Sequence, residues 1–339
     1  MNPILKAVII SLAFVTAGTI LFGTGFILAG GFNRQEISYE KYSTKEEDAV
    51  GRIEISTDTT DVAVVISESA EEISIEYPIK TNSKNGKPLN TVEVNVTDGT
   101  LRLEEKKTIT NTFFSFGDVE SKITVTVPAG YMLDYAIDCT TADIKLPDGL
   151  DAGIIALSTT TGDVQLGEQT RAGVLSISAT TGDIEVGATV VAETISMSVT
   201  SGNITLSNSI AAEEINLAAN TGDIELNAAV TANRLEITGT TGDLEATRLI
   251  KVAYFDVELG TGDVDISGTL DAGDAKIDTT TGEICIKVLG LRDLYSIHTS
   301  TTTGDANVEN GGTGERSLNI TATTGSITVR FDGESDKTM

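Results

Sequence analysis

Apolar and polar residues alternate one by one along most of the chain after residue 50. The stretch 174–179, with the sequence VLSISA, is one example, and the stretch 184–186, with the sequence IEV, is another. A period of two places successive side chains on opposite faces of an extended backbone, so it predicts β-strands with one buried face. The pattern therefore predicts an all-β body.

A short motif of threonine or serine, glycine, aspartate and an aliphatic residue punctuates these strands every twenty residues. Its glycines are Gly162, Gly182, Gly202, Gly222, Gly242, Gly262 and Gly282. Further copies stand at Gly304 and Gly325, after steps of 22 and 21 residues, and the stretch 141–144 (TADI) lies one period earlier. A fixed period of this kind is typical of a solenoid of repeated coils.

Aligning the periods places aliphatic residues in columns, which we expect to form the core. One column holds Ile155, Leu175, Ile195, Ile215, Leu235 and Phe255. A second holds Val164, Ile184, Ile204, Ile224, Leu244, Val264 and Ile284. A third stretch carries a β-branched or small residue followed two positions later by alanine, as at Val190 and Ala192.

Three short walls per period predict a parallel β-helix, a β-solenoid of about ten 20-residue coils over residues 139–331. Each coil cannot bury its apolar face alone but can do so against its neighbours. An antiparallel meander with two strands per period also fits the alternation. Identical residues at identical places favour in-register parallel stacking.

The glycine of the motif is predicted at a corner between strands, where a positive φ or a close backbone approach disfavours a Cβ. The aspartate can accept backbone N–H bonds in an Asx-type turn. Stacking would also align the acidic side chains in a ladder, which calcium could bind. The glycine- and aspartate-rich nonapeptide of calcium-filled β-rolls is absent. We therefore predict no metal site.

Residues 49–138 predict strands without the glycine motif, and we interpret them as an N-terminal β cap over the open end of the solenoid. The cluster 113–117 (FFSFG) is predicted to be an insertion loop packed over this cap, with an exposed binding tip as the alternative. At the other end, residues 332–339 form a charged tail, and we expect the charged stretch 330–337 to protect the terminal edge.

The first part of the chain is apolar. Residues 7–32 carry no charge, which is enough to span a bilayer core of ~30 Å as one transmembrane helix. We interpret residues 1–32 as an uncleaved signal anchor and residues 33–48 as a polar spacer. Lys6 before the segment favours a cytoplasmic N-terminus, so the C-terminal body would be extracytoplasmic. A cleaved signal peptide, cut near Ala29, is the alternative.

The net charge and the few cysteine and histidine residues exclude several classes of function. The formal net charge of −27 repels phosphates and excludes nucleic acid as a partner. The two cysteines, Cys139 and Cys285, would lie about seven coils apart, roughly 34 Å, which is beyond disulfide reach. His298, the single histidine, falls in an outward column. We predict no catalytic residues, no cofactor-binding residues and no enzyme activity.

The chain resembles the putative-adhesin family of bacterial β-strand-repeat envelope proteins, a domain of unknown function. The resemblance is carried by 123–130 (ITVTVPAG) and by the serial Thr-Thr-Gly-Asp-Ile corners, and it spans Val50 to Arg330. Some members resemble the Lia G protein, found near envelope-stress regulators. The corner varies here at Asn203, Glu283 and Ser326. The resemblance implies an envelope protein without catalytic activity.

Three functions follow as hypotheses. The first is a membrane-anchored, adhesin-like structural or interaction protein at the cell surface, held in the membrane through residues 7–32 and binding a protein or a cell-envelope polymer. The second is an envelope-stress sensor that acts through a membrane partner, in contact with the small residues Gly18, Gly23, Gly25 and Ala29. The third, a polysaccharide lyase or hydrolase, rests only on the fact that β-helices host such enzymes.

Overall fold

The computed structural model describes residues 35–45, 48–83, 85–108, 121–187 and 189–333. The predicted transmembrane segment 7–32, the phenylalanine cluster 113–117 and residues 334–339 of the tail lie outside this part of the chain. Within it, no helix is long and apolar enough to cross a membrane.

The described chain is built almost entirely from β-strands, and one short 3-10 helix spans Arg292–Leu294. The strands are β1 (Gln35–Ser43), β2 (Arg52–Thr57), β3 (Asp61–Ser67), β4 (Ser74–Asn82), β5 (Asn90–Thr97), β6 (Thr100–Lys107), β7 (Lys122–Pro128), β8 (Asp134–Thr141), β9 (Ile144–Lys145), β10 (Asp151–Thr161), β11 (Val164–Leu166), β12 (Thr170–Thr181), β13 (Ile184–Val186), β14 (Thr189–Ser201), β15 (Ile204–Leu206), β16 (Ser209–Ala211), β17 (Glu214–Thr221), β18 (Ile224–Leu226), β19 (Ala229–Thr241), β20 (Leu244–Ala246), β21 (Leu249–Thr261), β22 (Val264–Thr281), β23 (Ile284–Val288), β24 (Tyr295–Thr303), β25 (Arg316–Thr324) and β26 (Ile327–Phe331).

The strands stack in parallel and in register, coil upon coil. Leu175 of β12 pairs with Ile155 on one side and Ile195 on the other, and Ile184 of β13 pairs with Val164 and Ile204. The predicted columns are confirmed, and the antiparallel meander is excluded for the repeats. Every side chain of the first two columns is buried to 2% exposure or less, so the core runs unbroken along the inside of the solenoid.

Each coil has three walls, as predicted. We call the stretch equivalent to Val190–Ala192 wall A, the stretch equivalent to Ile195–Val199 wall B, and the stretch equivalent to Ile204–Leu206 wall C. Walls A and B belong to one long strand in several coils, for example β14. Wall C is a separate strand after the glycine corner.

Nine corner glycines stack between walls B and C, which corresponds to about nine turns. Gly222 has φ +134°, and a Cβ built on it would lie 2.0 Å from the carbonyl oxygen of Gly202. Any larger residue would therefore push two coils apart as well as strain the corner. This double demand, for a positive φ and for close stacking, explains why glycine returns at each coil.

The final coils do not stack in chain order. Gly325 packs on Gly282, and Gly304 packs on Gly325. Strand β25 accordingly lies between β22 and β24, and β26 pairs with β23. The chain thus passes over one position and then turns back to fill it. The charged stretch 330–337, predicted to protect the terminal edge, begins with Arg330 in β26, which is the last strand of wall C, and its residues 334–337 lie outside the described part of the chain.

The N-terminal end shows the same kind of insertion. Strand β2 lies between β6 and β8, and β3 lies between β7 and β9, in parallel pairing throughout. The solenoid therefore extends into residues 52–128, which were predicted to form a separate cap. Only β1, β4 and β5 run antiparallel to their neighbours here. Residues 35–43 of the predicted polar spacer 33–48 form strand β1, which pairs with β4 along its whole length. This part of the predicted spacer is therefore a strand of the sheet.

Candidate functional site

A ladder of side-chain to backbone hydrogen bonds runs along the glycine corners. The backbone N–H of Asp183 donates to Asp163 Oδ1 at 2.8 Å, and the N–H of Asn203 donates to Asp183 Oδ1 at 2.7 Å. The ladder joins Asp61, Asp143, Asp163, Asp183, Asn203, Asp223, Asp243, Asp263 and Glu283. Each aspartate therefore accepts a backbone N–H bond, as predicted, but the N–H belongs to the equivalent residue of the next coil and not to its own turn.

This geometry explains two features that the sequence left open. Asn203 offers an amide oxygen to the N–H of Asp223 at 2.9 Å, so the ladder needs an oxygen acceptor and not a charge. Asp61 starts the ladder by accepting from the N–H of Asp143 at 3.0 Å. Sequence reasoning missed Asp61, although the stretch 59–62 (TTDV) is the same motif without its glycine.

No metal-binding arrangement is found along the ladder or elsewhere in the part of the chain that the structure describes. There, no group of three or more histidine, cysteine, aspartate or glutamate residues is placed to hold an ion. A second acidic column follows the outer face of wall C, where Glu225, Glu245 and Asp265 pair with one another in register. Cys285 continues this column and is half-buried.

The outer face of wall B carries two shallow depressions, one of about 540 Å³ towards the N-terminal end and one of about 590 Å³ towards the C-terminal end. We call this face with its two depressions the wall B groove. Short polar and small side chains line both depressions, with carboxylates between them. The lining includes Glu54, Glu104, Ala136, Asp138, Ala156, Ser158, Ser176, Ser178, Ala218, Asn220, Thr238, Thr240, Glu258, Asp278 and Thr321.

The arginine and lysine side chains at this groove form ion pairs with neighbouring carboxylates. Arg102 donates to Glu54 at 2.9 Å through Nε, and Arg52 donates to the same carboxylate at 2.8 Å. These hydrogen bonds hold the pKa of Glu54 below its ordinary value. Lys276 likewise lies 2.8 Å from Asp278. The remaining carboxylates, such as Asp138 and Glu258, leave the groove acidic.

A buried polar network lies at the N-terminal end of the core. Glu105 and Lys80 are 2% and 7% exposed, and Lys80 Nζ lies 3.5 Å from Glu105 Oε1. Thr57 and Asn90 donate to the two oxygens of Glu105 at 2.5 and 2.8 Å. Lys80 also donates to Thr60 at 2.6 Å. Burial alone would raise the pKa of Glu105, but these hydrogen bonds and the Lys80 charge outweigh it and lower the pKa.

A loop at the opposite end closes the last coil with two asparagine side chains. The Asn307 amide bonds both the N–H and the carbonyl of Val329, at 2.8 and 3.0 Å. The Asn310 amide bonds both the N–H and the carbonyl of Thr299, at 2.5 and 3.0 Å. Each amide thus takes the place of a peptide group from a further strand. We call residues 306–312 the terminal loop.

The rare residues that the sequence singled out lie apart from one another. Cys139 is buried in the core, and burial together with nearby carboxylates raises the pKa of its thiol to about 12. Cys285 lies on wall C, and His298 is exposed on the outer face of β24 beside Asn319. The structure therefore brings neither cysteine to the histidine.

Comparison with known proteins identifies a family. The sequence model of the Toastrack DUF4097 family matches residues 50–194 and 188–339. No curated protein matches the sequence. A structure described as a putative adhesin from Parabacteroides merdae is 17% identical, with a TM-score of 0.47, and the match covers 75% of this chain and 96% of that one. A putative adhesin from Bacteroides fragilis is 14% identical, with a TM-score of 0.38, and the match covers 87% of this chain and 97% of that one.

Proposed function

The chain belongs to the Toastrack DUF4097 family, and on this premise we propose that it is a membrane-anchored, adhesin-like structural protein of the cell envelope. It binds an extended envelope polymer along the wall B groove and has no catalytic activity. The expected resemblance to a family of β-strand-repeat proteins is confirmed at the level of the family. The finer role is our inference from the surface of the solenoid.

The observation that carries the proposal is the repetition within the wall B groove. Serine recurs at equivalent positions of three successive coils, at Ser158, Ser178 and Ser198, and the column continues with the polar residues Thr238, Glu258 and Asp278 after Ala218. Strand spacing sets these rows ~4.8 Å apart, so short polar groups are offered at a regular spacing. A repeating surface of this kind suits a repeating partner, because each added unit of a polymer meets the same chemistry.

Charge selects the class of polymer. The net charge of −27 and the carboxylates Asp138, Glu258 and Asp278 repel polyanions. The same carboxylates accept hydrogen bonds from hydroxyl, amide or ammonium groups. A neutral or cationic polymer of the envelope, such as a glycan strand, is therefore the partner that we propose.

The proposal of a non-catalytic role rests on the same repetition. Catalysis requires a particular set of groups brought to one place with matched roles. The wall B groove instead offers serine, threonine and carboxylate groups coil after coil. A binding function uses such repetition, whereas a reaction at one bond does not.

The remaining parts of the proposal concern the membrane. The uncharged stretch 7–32 is long enough to span the bilayer and would leave the solenoid outside the cytoplasm. The antiparallel strands β1, β4 and β5 would then close the membrane-proximal end of the stack. Closure matters there because an open coil end exposes unpaired backbone groups that template association.

Sedimentation of the full chain with isolated cell-wall glycan tests the proposal. Ser176→Arg places a long charged side chain in the groove, and Thr231→Arg places the same side chain on the outer face of wall A; both positions are exposed. We expect the first variant to lose binding and the second to bind like the parent chain. Equal binding by both variants would exclude the groove as the binding site, and no sedimentation of the parent chain would refute a glycan partner.

A further inference from the structure

The start of β1 lies very close in sequence to the end of the apolar segment. Residues 7–32 end at Phe32, and β1 begins at Gln35. Three Cα to Cα steps of extended chain reach at most roughly 10 Å. If the segment crosses a membrane, as the proposed function holds, the start of β1 must therefore lie within roughly 10 Å of the end of that segment.

Strand β1 is also the first layer of the stack. In wall C the pairing order is β1, β4, β7, β3, β9 and then the regular coils, and the series ends at β26. Thirteen strands of the described chain form this series, so its first and last strands are roughly 58 Å apart at ~4.8 Å per step. The tether is thus attached at one extreme end of the rod.

One exposed aromatic side chain at this end suits a lipid interface. Tyr39 is 47% exposed on β1, whereas Tyr42 and Tyr77 lie on the opposite face of the β1 and β4 pair and pack against the core. The hydroxyl of Tyr77 donates to Glu40 at 3.2 Å. Tyrosine is enriched where a membrane meets water, because its ring enters the interface while its hydroxyl remains hydrated. Within the described chain, the strands give β1 a partner on one edge only, which is β4.

The long walls are unsuited to the same contact. The chain carries 50 acidic residues against 23 basic ones, an acidic column runs along wall C, and the aspartate ladder runs along the glycine corners. An anionic leaflet repels such a surface, and the repulsion grows with the number of coils brought close to it. Contact through the narrow end of the rod avoids this repulsion.

We propose that the N-terminal end of the solenoid, formed by β1 with its exposed Tyr39, docks on the lipid surface beside its own anchor. The rod then stands upright and carries the terminal loop away from the membrane. This inference rests on the proposed membrane anchoring and adds a contact surface and an orientation to it. The wall B groove becomes accessible along its whole length.

Tryptophan fluorescence tests the contact cleanly, because the chain has no tryptophan. Tyr39→Trp reports on the docked end. Tyr254→Trp is the matched control, since Tyr254 is 48% exposed and lies on β21, at least about 40 Å farther along the stack. Each full-length variant is reconstituted in phosphatidylcholine and phosphatidylglycerol vesicles whose phosphatidylcholine carries bromine near the headgroup.

We expect bromine to quench the Tyr39→Trp signal about twofold or more, with emission at shorter wavelength, and to leave Tyr254→Trp unchanged. Equal quenching of both reporters would overturn the upright orientation. No quenching of either reporter in protein that floats with the vesicles would overturn the docking while leaving the anchor intact. Failure of the full chain to float would refute the anchor itself, and the docking with it. Ser38→Trp, exposed on the same strand, replaces Tyr39→Trp if that variant does not fold.

Discussion

The side-chain amide of Asn307 satisfies both backbone groups of Val329, accepting from its N–H at 2.8 Å and donating to its carbonyl at 3.0 Å. The side-chain amide of Asn310 likewise accepts from the N–H of Thr299 and donates to its carbonyl. Two side chains thus replace a further strand at the end of walls B and C. A solenoid end without such closure would present a row of unpaired groups to another molecule.

Removing both amides is expected to open this end. In the double variant Asn307→Ala and Asn310→Ala we expect concentration-dependent association, measured by light scattering, and a loss of stability of about 1–3 kcal/mol. Asn216→Ala, on the outer face of wall B, is the control and is expected to remain unassociated. Unchanged light scattering in the double variant would show that the terminal loop does not protect the end.

A buried hydroxyl without a partner marks a site for stabilisation. Thr170 is fully buried, it pairs with Val190 in an apolar column, and its Oγ1 has no hydrogen-bond partner. Thr170→Val should therefore raise stability by about 1 kcal/mol in chemical denaturation. Thr159 is the matched control, because its hydroxyl donates to the Ala142 carbonyl at 3.0 Å. Thr159→Val is expected to cost about 1 kcal/mol, and the same sign of change in both variants would contradict the argument.

The glycine corner tolerates no side chain. Gly222→Ala places a Cβ 2.0 Å from the Gly202 carbonyl oxygen and at φ +134°, so we expect a loss of about 3 kcal/mol or failure to fold. Gly187→Ala is the control, because a Cβ there meets nothing within 4 Å. Thermal unfolding distinguishes the two, and a Gly222→Ala protein as stable as the parent would show that coils can separate at low cost.

The Lys80 and Glu105 network predicts a pH dependence. The pKa of Glu105 is lowered in the folded state, so its carboxylate contributes stability above its unfolded pKa of about 4.3. That contribution is lost as the pH falls through the folded pKa. Glu105→Gln should remove this part of the acid sensitivity and cost about 3 kcal/mol at neutral pH, because Lys80 keeps a buried charge.

Glu104→Gln is the control for this network, since Glu104 is only half-buried and pairs with the exposed Lys106 at 2.6 Å. A change below about 0.5 kcal/mol is expected there. Acid unfolding curves of the parent chain and both variants provide the comparison. If Glu105→Gln unfolded at the same acidic pH as the parent chain, the carboxylate would not be the titrating group.

The corner ladder requires an oxygen acceptor but no charge. Asp183→Asn should leave stability within about 0.5 kcal/mol, as the natural Asn203 suggests, whereas Asp183→Ala should cost about 1–2 kcal/mol because the N–H of Asn203 loses its acceptor. Denaturant titration measures both changes. Equal losses in the two variants would show that the carboxylate charge itself matters, and calcium should then be tested on the parent chain.

The repeat could be predicted from local chemistry. Alternation of period two indicates the strands, and the twenty-residue spacing alone is enough to place Leu175 beside Ile155 and Ile195, where the strand pairing has them. Glycine at the corner was predictable as well, because few other residues adopt its backbone conformation. These features repeat at every coil, so the sequence supplies the same evidence for the strands and corners many times over.

The ends and the surfaces depended on the tertiary structure. Nothing local distinguishes the corner of Gly304 from that of Gly325, so only the packing of the whole chain shows that Gly325 contacts Gly282 first. Strand β1 is rich in polar residues, so its sequence did not predict a strand, and only its pairing with β4 shows that it belongs to the sheet. The wall B groove likewise arises from the shape of many coils together. The sequence alone determined what repeats, because periodicity is a local property, whereas the order of the terminal coils, the closure of the ends and the candidate binding surface depend on contacts between distant segments.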